Sequence, residues 1–257
     1  MNPMTRQRFI ALLAAGGATC LGRPFSLLAA ENTRGPASPW ARLRYSSLGR
    51  DADDWGVEPA GDLNLIRAIR AQSSANVTEE WFVADVARLD SMTQFPFLFM
   101  HGNYTPMLTD PQRANLREYL LRGGFLFAED CVNDRGRGDD FFRRMAEVEF
   151  PKMFPEAKLE RLPYDHPVFH CFHEFKRGIP HMQGVEHGLH GLTINGRLLA
   201  LLSPSDIHCG WANGEKWFGR GKQVQAFQMG INIYLYAMTQ VGAAPAAQSV
   251  AGRTAAK

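Results

Sequence analysis

Residues 95–102 read Phe95-Pro96-Phe97-Leu98-Phe99-Met100-His101-Gly102, and residues 123–130 read Gly123-Gly124-Phe125-Leu126-Phe127-Ala128-Glu129-Asp130. Each is a short continuous apolar run that ends in polar residues, the pattern of a strand covered on both faces. Between them, Thr109-Asp110-Pro111-Gln112 is a helix start, with Thr as N-cap, Pro in the first turn and Gln as capping-box partner. Leu116, Tyr119 and Leu120 share one helical face, and Gly123 closes the helix in the left-handed conformation that glycine takes cheaply. Strand, helix and strand together predict a parallel βαβ unit, whose ligand crevice lies at the carboxyl ends of the strands. Those ends carry His101 and Glu129-Asp130.

The same logic extends outward. Leu198-Leu199-Ala200-Leu201-Leu202 predicts another buried strand, followed by Ser203, Ser205, Asp206 and His208. Ala41 to Ser46 reads as a first strand, and the loop after it contains Asp51, Asp53, Asp54 and Trp55. Asp62 is placed to cap a helix carrying Leu63, Ile66 and Ile69. Trp81 to Leu89 is open between helix and strand. Helices are expected from Asp139 to about Val148 and from Ala226 to Thr239, and the stretch from Lys158 to Gly191 is irregular. Alternating strands and helices predict an α/β fold: a doubly wound, mainly parallel sheet with helices on both faces.

The chain has 257 residues. Met1 to Ala30 has no acid, three arginines (Arg6, Arg8, Arg23) and an apolar run from Phe9 to Ala15 too short to span a bilayer. It reads as an export signal ending after Leu28-Ala29-Ala30. Thr5-Arg6-Gln7-Arg8-Phe9-Ile10 is similar to a twin-arginine signal with Gln7 in place of the second arginine, so the twin-arginine and general secretory routes both stay open. Residues 40–240 form the expected single domain. Residues 241–257, rich in Ala, Gly, Gln and Ser, are expected to be disordered. The location expected is periplasmic or extracellular.

With 28 Lys+Arg against 26 Asp+Glu, loss of the leader's three arginines turns the net charge from +2 to −1. A near-neutral chain has no electrostatic footprint for nucleic acid. Cys131, Cys171 and Cys209 allow at most one internal disulfide, with Cys171–Cys209 one pairing and buried reduced thiols the other reading.

Familiar catalytic signatures are missing. There is no Gly-x-Ser-x-Gly or Gly-x-Cys-x-Gly elbow and no His-Glu-x-x-His pair. Gly214 and Gly219 are followed by Arg220 instead of the Lys-Ser/Thr of a phosphate loop. What remains is the strand-end set. Asp130, His101 and Asp206 are the candidates for catalysis. His101, Glu129, Asp130, Asp206, His208, Asp54 and Trp55 are the candidates for binding. Carboxylate plus imidazole suits acid–base work or a divalent cation; the alternative for each acid is a turn or cap role. Seven of the eight histidines fall between His166 and His208. His166, His170 and His208 are candidate metal ligands, and His166, His170 and Glu174 form a second conceivable set. Histidines bonded to backbone carbonyls are the plainer reading. No cofactor is identified from the sequence. Trp55, Trp211 and Trp217 fall in predicted loops, as stacking surfaces or as lids on the core.

These residues resemble a bacterial family of unassigned function, domain of unknown function (DUF) 4159. The resemblance runs from Leu43 to Thr239. It rests on Arg44-Tyr45, Asp54-Trp55, Phe95 to Gly102, Leu116-Arg117-Glu118-Tyr119-Leu120, Gly123-Gly124-Phe125-Leu126 and Asp130. It continues through Leu162-Pro163-Tyr164-Asp165-His166-Pro167, Gly178-Ile179-Pro180, Gly196-Arg197-Leu198, Asp206 and Met229-Gly230-Ile231-Asn232. It implies a flavodoxin-like sheet similar to class I glutamine amidotransferases and no particular reaction. The amidotransferase triad does not carry over, since Cys131 lacks a glycine elbow and no His-x-Glu follows near the end of the domain.

Two functions fit this reading. One is a non-catalytic module that binds a small ligand or an envelope protein through the strand-end crevice. The other is a metal-assisted or acid–base hydrolase using the Asp/His cluster.

Overall fold

The computed structural model describes residues 36–48, 54–132 and 137–241. The expected signal and nearly all of the expected tail lie outside these residues, as do Asp51 and Asp53. In chain order the elements begin β1 (Ser38–Arg44), β2 (Ser46–Leu48), α1 (Ala60–Gln72), β3 (Val77–Asp85), α2 (Leu89–Met92), β4 (Phe97–Gly102) and β5 (Thr105–Met107). They continue with α3 (Asp110–Leu121), β6 (Phe125–Asp130), α4 (Asp140–Arg144), α5 (Phe150–Met153), β7 (Leu159–Arg161) and β8 (His190–Ile194). The last are β9 (Arg197–Ser203), α6 (Ile207–Asn213), α7 (Glu215–Phe218) and α8 (Arg220–Gln240). A π-helical turn, Met145–Glu149, joins α4 to α5.

Seven strands form one sheet in the order β3-β1-β4-β6-β9-β8-β7. The first five run parallel, and β8 and β7 add antiparallel pairings beyond β9. Taken alone, the parallel strands have the 2-1-3-4-5 order of flavodoxin-like sheets, with its switch point between β1 and β4. The expected doubly wound α/β class is therefore present. β2 and β5 form a separate two-stranded ribbon.

Side-chain alternation assigns the two sheet faces. Phe97, Phe99, Phe125, Phe127 and Leu201 face one core with Leu65, Ile66, Trp211, Met229 and Ile233 from α1, α6 and α8. Leu98, Met100, Leu126, Ala128 and Leu202 face the other, with Leu116, Leu120, Phe141 and Phe150 from α3, α4 and α5. Thr109 accepts from Gln112 N while Gln112 accepts from Thr109 N, so the expected capping box starts α3. Gly123 follows that helix at φ 107°.

Several expectations shift. Val77–Asp85 is a strand, resolving the ambiguity at Trp81. Helix α8 begins at Arg220, earlier than the apolar pattern indicates. The irregular stretch after Lys158 contains the short strands β7 and β8. Asp62 does not cap α1, which starts two residues earlier. Trp211 lies in helix α6 and is buried, whereas Trp217 is 66% exposed. Among the described residues, no helix is long and apolar enough to cross a membrane.

Candidate functional site

In the sheet register His101 pairs with Glu129, and Glu129 with Ser203. Residues paired in register point to the same face, so these three side chains belong to the face of Phe99 and Phe127. After Ser203 the chain turns through Pro204 and Ser205 into Asp206, whose φ of 54° and ψ of 42° are left-handed, and enters α6. Asp tolerates that conformation better than most residues with a Cβ. The turn is held from below. Glu129 accepts hydrogen bonds from Ser203 Oγ (2.9 Å), Ile207 N (2.9 Å) and His208 N (3.0 Å). Burial, and then the charge of Asp206, push the Glu129 carboxyl well above its usual range.

This turn carries His208 back over the sheet, its ring centroid 4.0 Å from that of His101. Beneath them, Arg42 on β1 forms a fully buried ion pair with Asp62 on α1. Trp40 Nε1 also donates to Asp62 at 2.6 Å. The guanidinium donates further to the carbonyls of Trp55 (3.1 Å), Val57 (2.6 Å) and Glu58 (3.4 Å). It lies 2.9 Å from His208 Nε2. Burial lowers the His208 pKa, and its Nε2 faces both the Arg42 guanidinium and, at 3.3 Å, the Asp62 carboxylate. Gly61 makes this approach feasible, since a Cβ there would lie 2.6 Å from His208 Nε2.

Several polar atoms at this junction are buried without a hydrogen-bond partner among the described residues. They are His101 Nδ1 and Nε2, His208 Nδ1, Ser205 Oγ and Asp206 Oδ1. His101, Asp206 and His208 are at most 1% exposed. Buried polar groups are usually paired, and each left unpaired costs about 1–3 kcal/mol. Burial, then His208 and Arg42, hold His101 neutral by depressing its pKa well below normal. Burial pushes Asp206 up to about 7. The Asp206 Oδ2 atom accepts from Gln183 Nε2. Cys131 and Cys209 border the same junction, their sulfurs 3.8 Å apart.

The structure thus brings together His101, Glu129, Asp206 and His208. Asp130 departs from that set. It is paired in register with Gly102, so alternation turns it to the opposite face, where Oδ2 accepts from Phe142 N (2.9 Å) at the start of α4. Burial pushes its carboxyl up to about 8. The residue that shares the face of His101 is its neighbour, Cys131. Asp54 is also buried but organises a loop: it accepts from Asn103 N, Asn103 Nδ2 and Tyr104 N, beside a half-buried Trp55.

The histidine run sits elsewhere. His166 Nδ1 accepts from Val168 N and caps a 3-10 turn, Pro167–Phe169. His170 is held by the Tyr164 carbonyl (2.7 Å) and Glu174 (3.0 Å), which raise its pKa. Among the described residues the trio His101, Cys131 and Asp206 has its ligand atoms within 4.8 Å of one another, and no such group contains His166 or His170. Cys171 does not pair with Cys209: its sulfur lies 3.4 Å from the Asn232 carbonyl, and all three described cysteines are free thiols.

Arg42, Asp62, Ser205, Cys131 and Cys209 were not among the sequence-derived site residues. The signal for Cys131 was in the chain, since period-two alternation along residues 127–131 puts Cys131 with Phe127 and Glu129. Arg42 gave a weaker signal as a cation flanked by Ala41 and Leu43 in an apolar strand. The side chains of the strand-end cluster are buried. An open cavity of about 430 Å³ lies on the helix layer, lined by Asn64, Arg67, Trp211, Gln223 and Phe227 among others.

A buried imidazole–carboxylate–thiol junction at the carboxyl edge of a flavodoxin-like sheet defines the class: a doubly wound α/β domain with its polar site at the strand ends. The chain matches the family described as Domain of unknown function (DUF4159) over residues 40–238 and belongs to it. No curated protein matches the chain. The solved structure of a ThuA-like protein from Bacteroides uniformis aligns with 80% of this chain and 94% of its own, at 10% identity and a TM-score of 0.36.

Proposed function

We propose that this chain is an exported, non-catalytic binding domain that takes a small polar ligand at the strand-end junction, with His101, Ser205, Asp206 and His208 as its contacts. One observation carries the reading: unpartnered buried polar atoms from β4 and from the β9–α6 turn meet at one place. Such atoms destabilise the ligand-free protein, and a ligand that hydrogen-bonds to them removes that cost. The acid-free, arginine-bearing leader supports export. The hydrolase reading is weaker because no activated nucleophile accompanies the cluster among the described residues. The Cys131 thiol is pushed up by its contact with Cys209 and by burial, the reverse of what a reactive thiolate needs. Likeness to class I glutamine amidotransferases is accordingly a matter of the sheet and not of the chemistry.

The test pairs stability with binding. His101→Leu removes two unpartnered ring nitrogens and keeps an apolar side chain in place. The variant is expected to melt higher than the wild type when both are metal-free in chelator-containing buffer. Small polyols, sugars and carboxylates are then screened by thermal shift, and at least one class should raise the wild-type Tm while leaving His101→Leu unmoved. A variant less stable than the wild type, with no ligand class shifting either protein, overturns the proposal.

A further inference from the structure

We infer that the strand-end junction is a site for a zinc-class divalent cation, ligated by His101, Cys131 and Asp206, with Cys209 as fourth ligand. This deepens the binding reading above and rests on it.

The donor set comes from three separate places. His101 ends β4, Cys131 directly follows β6, and Asp206 and Cys209 flank the start of α6. Their convergence is a product of the parallel sheet, since 78 residues separate Cys131 from Cys209. His101, Cys131 and Asp206 offer ligand atoms within 4.8 Å of one another. A tetrahedral zinc ion with bonds of about 2.0–2.3 Å needs ligand atoms roughly 3.3–3.8 Å apart, so these side chains have to close by at most about 1.5 Å. The sulfurs already fit. Two thiolates about 2.3 Å from a tetrahedral ion stand about 3.8 Å apart, which is the Cys131–Cys209 separation.

Two observations beyond proximity point to a ligand. Both ring nitrogens of His101 and Oδ1 of Asp206 are buried and unpartnered. Asp206 is also oriented from behind, because Gln183 donates to Oδ2 and leaves Oδ1 free. Outer contacts of this kind fix the ligands of metal centres. The non-glycine left-handed backbone at Asp206 is a strained conformation of the sort that concentrates at functional sites. The chemistry of the donors selects the ion. Calcium and magnesium take oxygen ligands, whereas thiolate with imidazole suits zinc and its soft neighbours. Binding releases the thiol protons and couples to folding, so the ion is expected to enter as the chain folds.

The full-length protein is purified under reducing conditions, stripped with chelator in denaturant, and refolded with zinc chloride or cobalt chloride. Expected are about one zinc per chain by mass spectrometry of the metal, and a cobalt form with both tetrahedral d–d bands and a thiolate-to-cobalt charge-transfer band. Cys131→Ser and His101→Ala should lose the metal, and Cys171→Ser should retain it. Because the site variants can misfold, the charge-transfer band and the protection of two thiols by metal are also read on the wild type. A folded, fully reduced wild type that binds no zinc overturns the inference. So does zinc retained in folded Cys131→Ser, or native protein isolated with a Cys131–Cys209 disulfide. If zinc fails while a small organic ligand raises the Tm through His101, only this inference falls; if neither binds, both readings fall.

Discussion

Arg42 and Asp62 are each wholly buried, and one guanidinium serves a carboxylate, three carbonyls and an imidazole. Removing one member of such a pair strands the other charge in the core. Asp62→Asn is therefore expected to destabilise the protein by about 3–5 kcal/mol, measured by urea unfolding. The pH dependence has a definite sign. Burial raises the Asp62 pKa, but the His208 hydrogen bond and the Arg42 charge outweigh it, and the net folded value lies below normal. A depressed carboxyl contributes stability that is present above its unfolded pKa, near 4, and is lost as pH falls through the folded value. The wild-type advantage over Asp62→Asn should thus be full at pH 7 and shrink on acidification below about 4; a gap independent of pH would contradict this. At this scale the sequence was only partly legible. His101, Glu129 and Asp206 stand out because polar groups close apolar runs. Asp130 looks equivalent to them, yet one step of alternation sends it across the sheet. Asp62 reads as a cap because its partner, Arg42, is twenty residues earlier in a strand whose pairing no local pattern reveals.

Among the elements, those with their own punctuation were readable. Thr109, Pro111, Gln112 and Gly123 delimit α3 by local hydrogen bonding alone, and the structure reproduces each role. Thr109→Ala should cost about 1 kcal/mol through loss of the side-chain acceptor at the first turn, seen as a lower urea midpoint with unchanged slope. β4, β6 and β9 were legible because strands buried on both faces are apolar throughout. β3 was not, because it forms one edge of the sheet and exposes Phe82 and Val83. β7 and β8 escaped notice for a different reason. They are short and reverse direction, so no strand–helix alternation announces them.

For the molecule as a whole, the sequence predicted a doubly wound, mainly parallel sheet from its strand–helix alternation, and the structure supplies the order β3-β1-β4-β6-β9. The order puts the switch point beside His101, which is why the strand-end argument located a real convergence without seeing its members in full. The proposed export makes a separate prediction. Protein recovered from the producing cell's envelope or medium should begin at Glu31, as N-terminal sequencing would show; an intact Met1 in that fraction would contradict the expected cleavage.

The guanidinium of Arg42 has one last implication. It ties the first strand to the carbonyls of 55–58, the first turn of α1 and the ring of His208 at once. Those segments form a single mechanical unit, so the chemistry at the top of the sheet is anchored to β1, inside the parallel part of the sheet.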